Sequence, residues 1–520
     1  MSAPASALDA AAPASPAPGG AQNGRPSPTV PVAVQVCETL QTVLTALLLA
    51  FVFRTFFVEA FIIPTGSMAD ALAGQHLTVV CPTCGWEFDC GPRTQRAPGS
   101  PFLPPPEALC PNCHVTIPLR PELLAAKSGD RVLVHKWPYI IGGPLGPRRW
   151  DVIVFRDPND PGQSFIKRLV GLPGEAVEIV DGDVFIRPPG GNEFHVARKP
   201  RAAQQALWSV VFDQNYPPTD ACRAFRPPAW VAESPADANS TGWSGLQSRV
   251  IRYDAHDDTW RAVVFEPTGS RFYLQDVSGY NHGSGGNCVG DVRLAAELSV
   301  TGGAGALRWE IERDGWLFAA ALEADGDVTL SLRPPGGAET LAAAARSAPL
   351  AARRRRIEFA HLDWRVYLRL DGRELLATTD AQYAPHLSKL RATRRVVPLR
   401  LRMVASDLTL ELRGLRVDRD VYYAHTAKTR RASAGRPFQL RDGEYFVLGD
   451  NSTASADSRE WSGVGPHLRQ ALRDGSYREG TVRADQIVGR AFFVYLPGLL
   501  PIDADGDWRV VDVGRMRFIR

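Results

Sequence analysis

Ser67 stands in Ile63-Pro64-Thr65-Gly66-Ser67-Met68, a turn that follows a long apolar run. A serine hydroxyl is a poor nucleophile at neutral pH and needs a base to take its proton. Lys167 lies in Ser164-Phe165-Ile166-Lys167-Arg168-Leu169-Val170-Gly171, among apolar neighbours. Burial there would disfavour the ammonium and lower its pKa, so a neutral amine could serve as that base. Arginine could not do this, because it stays protonated. Each segment alone has a plainer reading: a Pro–Gly turn, and a lysine snorkelling from an edge strand. A third segment, Gly449-Asp450-Asn451-Ser452-Thr453-Ala454-Ser455-Ala456-Asp457-Ser458-Arg459, would by itself be a polar loop after a strand. None of the three contains histidine, so a Ser–His–Asp triad has no support.

Cysteine offers a second chemistry. Cys81-Pro-Thr-Cys84-Gly and Cys110-Pro-Asn-Cys113-His114 are two CxxC knuckles. A pair of knuckles can present four thiolates to one tetrahedral ion, which predicts a closed, structural zinc site at Cys81, Cys84, Cys110 and Cys113. The spacing between the knuckles is longer than usual, and a Pro-rich connector accounts for it. Disulfides are the competing reading, and Cys90 and His114 are alternate ligands. No cofactor is expected for catalysis.

The elements that must position these residues follow from patterning. At 520 residues the chain should hold about two to four domains. Its 44% hydrophobic and 22% charged residues suit a globular protein, and a net charge of +3 argues against a nucleic-acid partner. Residues 1–31 are mostly Ala, Pro, Ser and Gly and read as a disordered tail. Residues 32–58 are long and apolar enough for a single transmembrane helix in a lipid bilayer, with a cleavable signal peptide or a buried core helix as alternatives. Between 129 and 187, short Val/Ile-rich runs broken by Gly, Pro and Asp predict β-strands. From 191 to 430, many short alternating runs predict an inserted antiparallel sandwich, among them ALRWEIER, WLFAAALE and RRIEFAHL. The chain is therefore expected to be mainly β. Its core would be drawn from 59–80, 115–190 and 431–520, interrupted by a zinc-ribbon-like insert at 81–114 and by the sandwich.

The three segments, in this order behind an apolar span, resemble the sequence boxes of bacterial type I signal peptidases. Arg149-Trp150-Asp151-Val152-Ile153-Val154-Phe155 resembles a further box of that family, a structural strand. The resemblance implies a Ser/Lys-dyad endopeptidase that removes signal peptides from secreted precursors after small residues at positions −1 and −3. It implies Ser67 as nucleophile, Lys167 as base, and Thr65 with the Ser67 N–H as oxyanion donors. Ser455 would orient the lysine, Asp457 and Arg459 would form a supporting ion pair, and Asp450 belongs to the same box. It also implies a single-pass protein of the bacterial inner membrane with its catalytic domain on the extracytoplasmic side, where oxidation of the cysteines is chemically open. Two stretches depart from the family. Asp70-Ala71-Leu72 replaces Pro-Thr-Leu, and Ser452-Thr453-Ala454 stands where Arg-Asp-Asn is common; both bear on the substrate pocket more than on the chemistry. The run from Ala352 to Leu375, with Leu408–His425, resembles laminin-G or concanavalin-like jelly rolls. A glycan or a protein surface is the ligand such a fold suggests, and fold does not fix function. The contrasting reading is a membrane-tethered binding protein with an inactive peptidase core.

Overall fold

The computed structural model describes residues 32–93, 102–120, 126–219, 229–233, 242–266, 274–392, 399–501 and 509–519. The expected tail at 1–31 and part of the Pro-rich connector lie outside them.

Val32–Phe56 forms one α-helix of 25 residues, apolar on every side, with Leu44, Leu48 and Phe51 exposed. At 1.5 Å per residue its length is about 37 Å, enough to cross a bilayer. The helix stops two residues short of the expected end of the span. Val58 instead opens a strand, Val58–Ile62, because its backbone pairs with His135.

The remaining chain, 57–520, forms one compact unit and is mainly β. Its core sheet runs in the order Val58–Ile62, Arg131–His135, Ile487–Leu496, Val152–Arg156, Ser164–Gly171, Glu444–Leu448, Val482–Arg483. Every neighbouring pair is antiparallel. Val/Ile/Phe alternation sends Val132, Val134, Val152, Val154 and Val494 to one face, against Ile63, Met68 and Leu72. The opposite face buries Ile153, Phe155, Leu169 and Val447. A smaller sheet follows in the order His195–Val196, Asp183–Arg187, Ala176–Val180, Phe438–Gln439.

Between these two stretches of core strands the chain builds two large antiparallel sheets. One is centred on Val292–Gly302 and Leu408–Arg419, the other on Ala306–Arg313 and Leu399–Ser406. Their inner faces share one hydrophobic core that includes Trp230, Trp309, Tyr253 and Phe318 and reaches Val180 and Phe185 of the smaller sheet. The junction is also ionic. Lys199 contacts Asp363 and, at 2.7 Å, Asp420, and the Trp364 indole N–H donates to Asp183 at 2.9 Å. Two hairpins, Leu77–Val80 with Glu87–Cys90 and Glu107–Leu109 with Thr116–Pro118, carry the CxxC knuckles.

Candidate active site

Three chain segments meet on the core sheet. Lys167 lies in the middle of Ser164–Gly171, opposite Ile153. Leu448 pairs with Arg168 one residue on, so the loop 449–459 begins beside the lysine. The turn carrying Ser67 is a short 3₁₀ helix, Gly66–Met68, entered from the extended residue Thr65. Its first bond runs from Ala69 N–H to Gly66 O at 3.0 Å. The Ser67 N–H therefore has no acceptor within the turn.

Lys167 Nζ donates to Ser67 Oγ at 2.6 Å and to Ile166 O at 3.1 Å. Ser67 is 6% and Lys167 4% exposed. Burial drives the lysine down to about 8, against the opposing pull of Asp457, Asp450 and Asp157. No ion pair within 4 Å is found for Lys167 among the described residues, so desolvation outweighs attraction.

Asp450, Asp457 and Arg459 belong to a buried polar network in the neighbouring loop. Arg459 holds Asp457 at 2.7 and 2.9 Å. It also donates to Ala424 O, Ser452 Oγ and Ser452 O. Asp457 in turn accepts the Gly449 N–H at 3.0 Å. Asp450 is bound in fork fashion by Arg168 at 2.6 and 2.7 Å, with both side chains buried. Asn451 N–H donates to Ser67 O at 3.1 Å, and its side chain donates to Gly66 O at 2.8 Å.

Ser455 differs from expectation. It is 3% exposed and lies close to the pair, but its Oγ makes no hydrogen bond among the described residues, so the expected bond to Lys167 is absent. The loop passes so close over Gly449 that a Cβ there would stand 2.1 Å from Ser455 Oγ and 2.5 Å from Ser67 O. Thr65 makes no side-chain capping bond to the turn. Ser455 also borders an open cleft of about 730 Å³, lined by Arg93, Asp276, His282, Lys428 and Glu460 among others.

Arg168 and Asn451 had no stated role in the sequence reading. A signal existed for Arg168: a second cation beside Lys167, in a chain whose third box carries an otherwise unpaired aspartate. Nothing in the spacing points to Asn281 and Tyr280, which arrive from the sandwich.

The four knuckle cysteines converge, with their sulfurs within 4.8 Å of one another. Cys81 and Cys113 Sγ are 3.5 Å apart, Cys84 and Cys110 Sγ 3.7 Å. A disulfide would need about 2.05 Å. A tetrahedron of thiolates at about 2.3 Å from an ion has edges near 3.8 Å, so the donor set fits a metal. The knuckles are built alike: Gly85 N–H bonds back to Cys81 O and His114 N–H to Cys110 O. Gly85 and His114 both sit at positive φ, 76° and 57°. Cys90 lies apart from the four, with its Sγ 3.2 Å from His282 Nδ1.

The family model described as "Signal peptidase, peptidase S26" matches residues 119–226 and 401–496, core strands together with some strands of the sandwich such as Leu408–Arg419. These two segments, about two fifths of the chain, are similar to that family. Signal peptidase I of Pseudomonas fluorescens is 47% identical over 58 residues, 9% of this chain and 20% of the relative. That of Buchnera aphidicola is 36% identical over 78 residues, 13% of this chain and 25% of the relative. The chain thus matches a quarter or less of the length of these two relatives. A carbohydrate-binding module from Bacillus subtilis covers 36% of this chain and 95% of its own, at 11% identity and a TM-score of 0.24. The signal-peptidase match includes the strand bearing Lys167 and the loop bearing Asp450, Asp457 and Arg459; the Ser67 turn precedes it.

Proposed function

We propose that this chain is a membrane-anchored serine endopeptidase that removes signal peptides from exported precursor proteins, with Ser67 as nucleophile and Lys167 as general base. The observation that carries the reading is the buried 2.6 Å contact between Lys167 Nζ and Ser67 Oγ, with no ion pair to the lysine within 4 Å among the described residues and burial outweighing the more distant carboxylates. On losing its proton, Lys167 Nζ becomes an acceptor for the Ser67 hydroxyl. Ser67 Oγ bonds to the scissile carbonyl carbon as its proton moves to Nζ. That proton passes to the leaving amine nitrogen as the C–N bond breaks. Water then attacks the acyl ester, gives its proton to Lys167, and restores Ser67. The Ser67 N–H and the Thr65 hydroxyl would stabilise the oxyanion, each donor contributing about 3 kcal/mol.

The base must be neutral, so activity should rise with pH. With Lys167 near 8, roughly a tenth of the free enzyme is competent at pH 7 and most of it at pH 9. kcat/KM on an Ala-x-Ala precursor should climb about tenfold over that interval. A flat profile between pH 6 and 9 would remove Lys167 as the titrating base.

Zinc is the metal proposed for Cys81, Cys84, Cys110 and Cys113, supported by a closed all-thiolate donor set. Its contribution would be a structural cross-link between the two hairpins. Elemental analysis of purified protein should find one zinc per chain, lost in Cys84→Ser. Protein without metal, and lighter by the mass of four hydrogens, would instead indicate two disulfides. The apolar helix would anchor the chain in the bacterial inner membrane with the core on the extracytoplasmic side, as the family resemblance implies.

A further inference from the structure

The hairpin Gln275–Ser278 and Gly283–Cys288 leaves the sandwich between the strands Arg261–Phe265 and Val292–Gly302. Its tip reaches the nucleophile turn. Tyr280 is 2% exposed, and its ring lies so close to Gly66 that a Cβ there would stand 2.0 Å from Cε1. The Tyr280 hydroxyl donates to Gln75 O at 2.9 Å, beyond the far end of the same loop. Gly74 closes that loop against Thr65, where a Cβ would meet the Thr65 carbonyl carbon at 2.3 Å. The turn carrying Ser67 therefore has a rigid aromatic floor supplied by the insert.

Asn281 acts on the same turn through Asn451. The two side chains form a reciprocal amide pair. Asn451 Nδ2 donates to Asn281 Oδ1 at 2.9 Å, and Asn281 Nδ2 donates to Asn451 Oδ1 at 2.6 Å. The other proton of Asn451 Nδ2 goes to Gly66 O at 2.8 Å. A terminal amide can rotate by half a turn, which would aim its oxygen at the Gly66 carbonyl. With Asn281 held in its own orientation, the pair opposes that rotation, since it would set oxygen against oxygen and nitrogen against nitrogen. The hairpin tip is itself held from the other side. Gly91 N–H donates to Tyr280 O at 3.0 Å, and Cys90 Sγ approaches His282 Nδ1 at 3.2 Å.

We propose that Asn281 and Tyr280, delivered by the inserted sandwich, are positioning residues for the Ser67 turn, so that the insert completes the active site. The inference rests on the Ser67/Lys167 reading. Asn281 reaches the Ser67 turn through Asn451 and Gly66; its Nδ2 also lies 3.4 Å from Thr453 Oγ1 in the same loop. A nucleophile displaced by about 1 Å can lose about a hundredfold in rate.

The test uses full-length detergent-solubilised protein and an Ala-x-Ala precursor. Asn281→Ala, at a half-buried position, should lower kcat by about 10- to 100-fold. KM should change less than about threefold, with an unchanged thermal midpoint and the same rise of kcat/KM with pH. Asn281→Asp, which sets a carboxylate oxygen against Asn451 Oδ1, should be at least as slow. Because Asn281 acts through Asn451, the double variant Asn281→Ala/Asn451→Ala should be no slower than Asn451→Ala alone. Wild-type kcat in Asn281→Ala, losses that track a falling thermal midpoint, or losses that multiply in the double variant would each overturn the inference. Failure of the underlying reading looks different: wild-type protein would cleave nothing, or Ser67→Ala would cleave as fast as wild type.

Discussion

Lys167→Ala should abolish precursor cleavage, with kcat/KM lower by at least about a thousandfold and the fold intact. The size of the effect follows from what remains. Without the amine, the Ser67 proton has no acceptor at 2.6 Å, and water in so buried a site is a poor substitute. The variant should fold, because the lysine makes no ion pair among the described residues. Removing it takes away a desolvated amine and leaves Ser67 Oγ as the main group needing a new partner. Lys167→Arg separates charge from basicity. It restores a cation and hydrogen-bond donors but supplies no neutral base, so it should be as inactive as Lys167→Ala. Thermal unfolding of both variants alongside wild type checks that the loss is chemical.

Asp457→Ala should instead destabilise. Asp457 and Arg459 are both fully buried, and Arg459 ties Asp457 to Ala424 and Ser452. Removing the carboxylate strands a buried guanidinium and leaves the Gly449 N–H without its acceptor. Breaking such a pair costs about 3–5 kcal/mol, which thermal unfolding would show as a clearly lowered midpoint. Asp457→Asn keeps the shape and should lose less. It carries a second, signed effect: the Asp457 charge is the strongest influence holding the Lys167 ammonium protonated. Neutralising it should move the rise of kcat/KM to lower pH. A shift to higher pH, or none, would contradict the electrostatic picture of the site.

The sequence was most legible where apolar residues run long or alternate. The apolar helix and the strands Ala306–Arg313, Trp316–Glu323 and Arg355–Leu362 follow from hydrophobic length and alternation. Thr340–Arg346 was not legible: Thr-Leu-Ala-Ala-Ala-Ala-Arg has helical propensity, yet it is an edge strand because Asp327–Arg333 offers it a ladder. At the site, the boxes indicated which residues matter but not every contact. The spacing offered Arg168 as a partner for the unpaired Asp450 but could not foresee that Ser455 Oγ would be left without a bond among the described residues. Tyr280 and Asn281 were invisible because their effect depends on a hairpin more than two hundred residues from Ser67 folding back onto it. Such pairings are set by tertiary packing and leave no periodicity behind.

The most direct test of the central claim is cleavage of a purified Ala-x-Ala precursor by solubilised wild-type protein beside Lys167→Ala, at pH 9, where the lysine is largely neutral. The account predicts one cut after the alanine at −1 by wild type and none by the variant. A correctly folded wild type that leaves the precursor whole, or a Lys167→Ala protein that cuts it at a comparable rate, would contradict it.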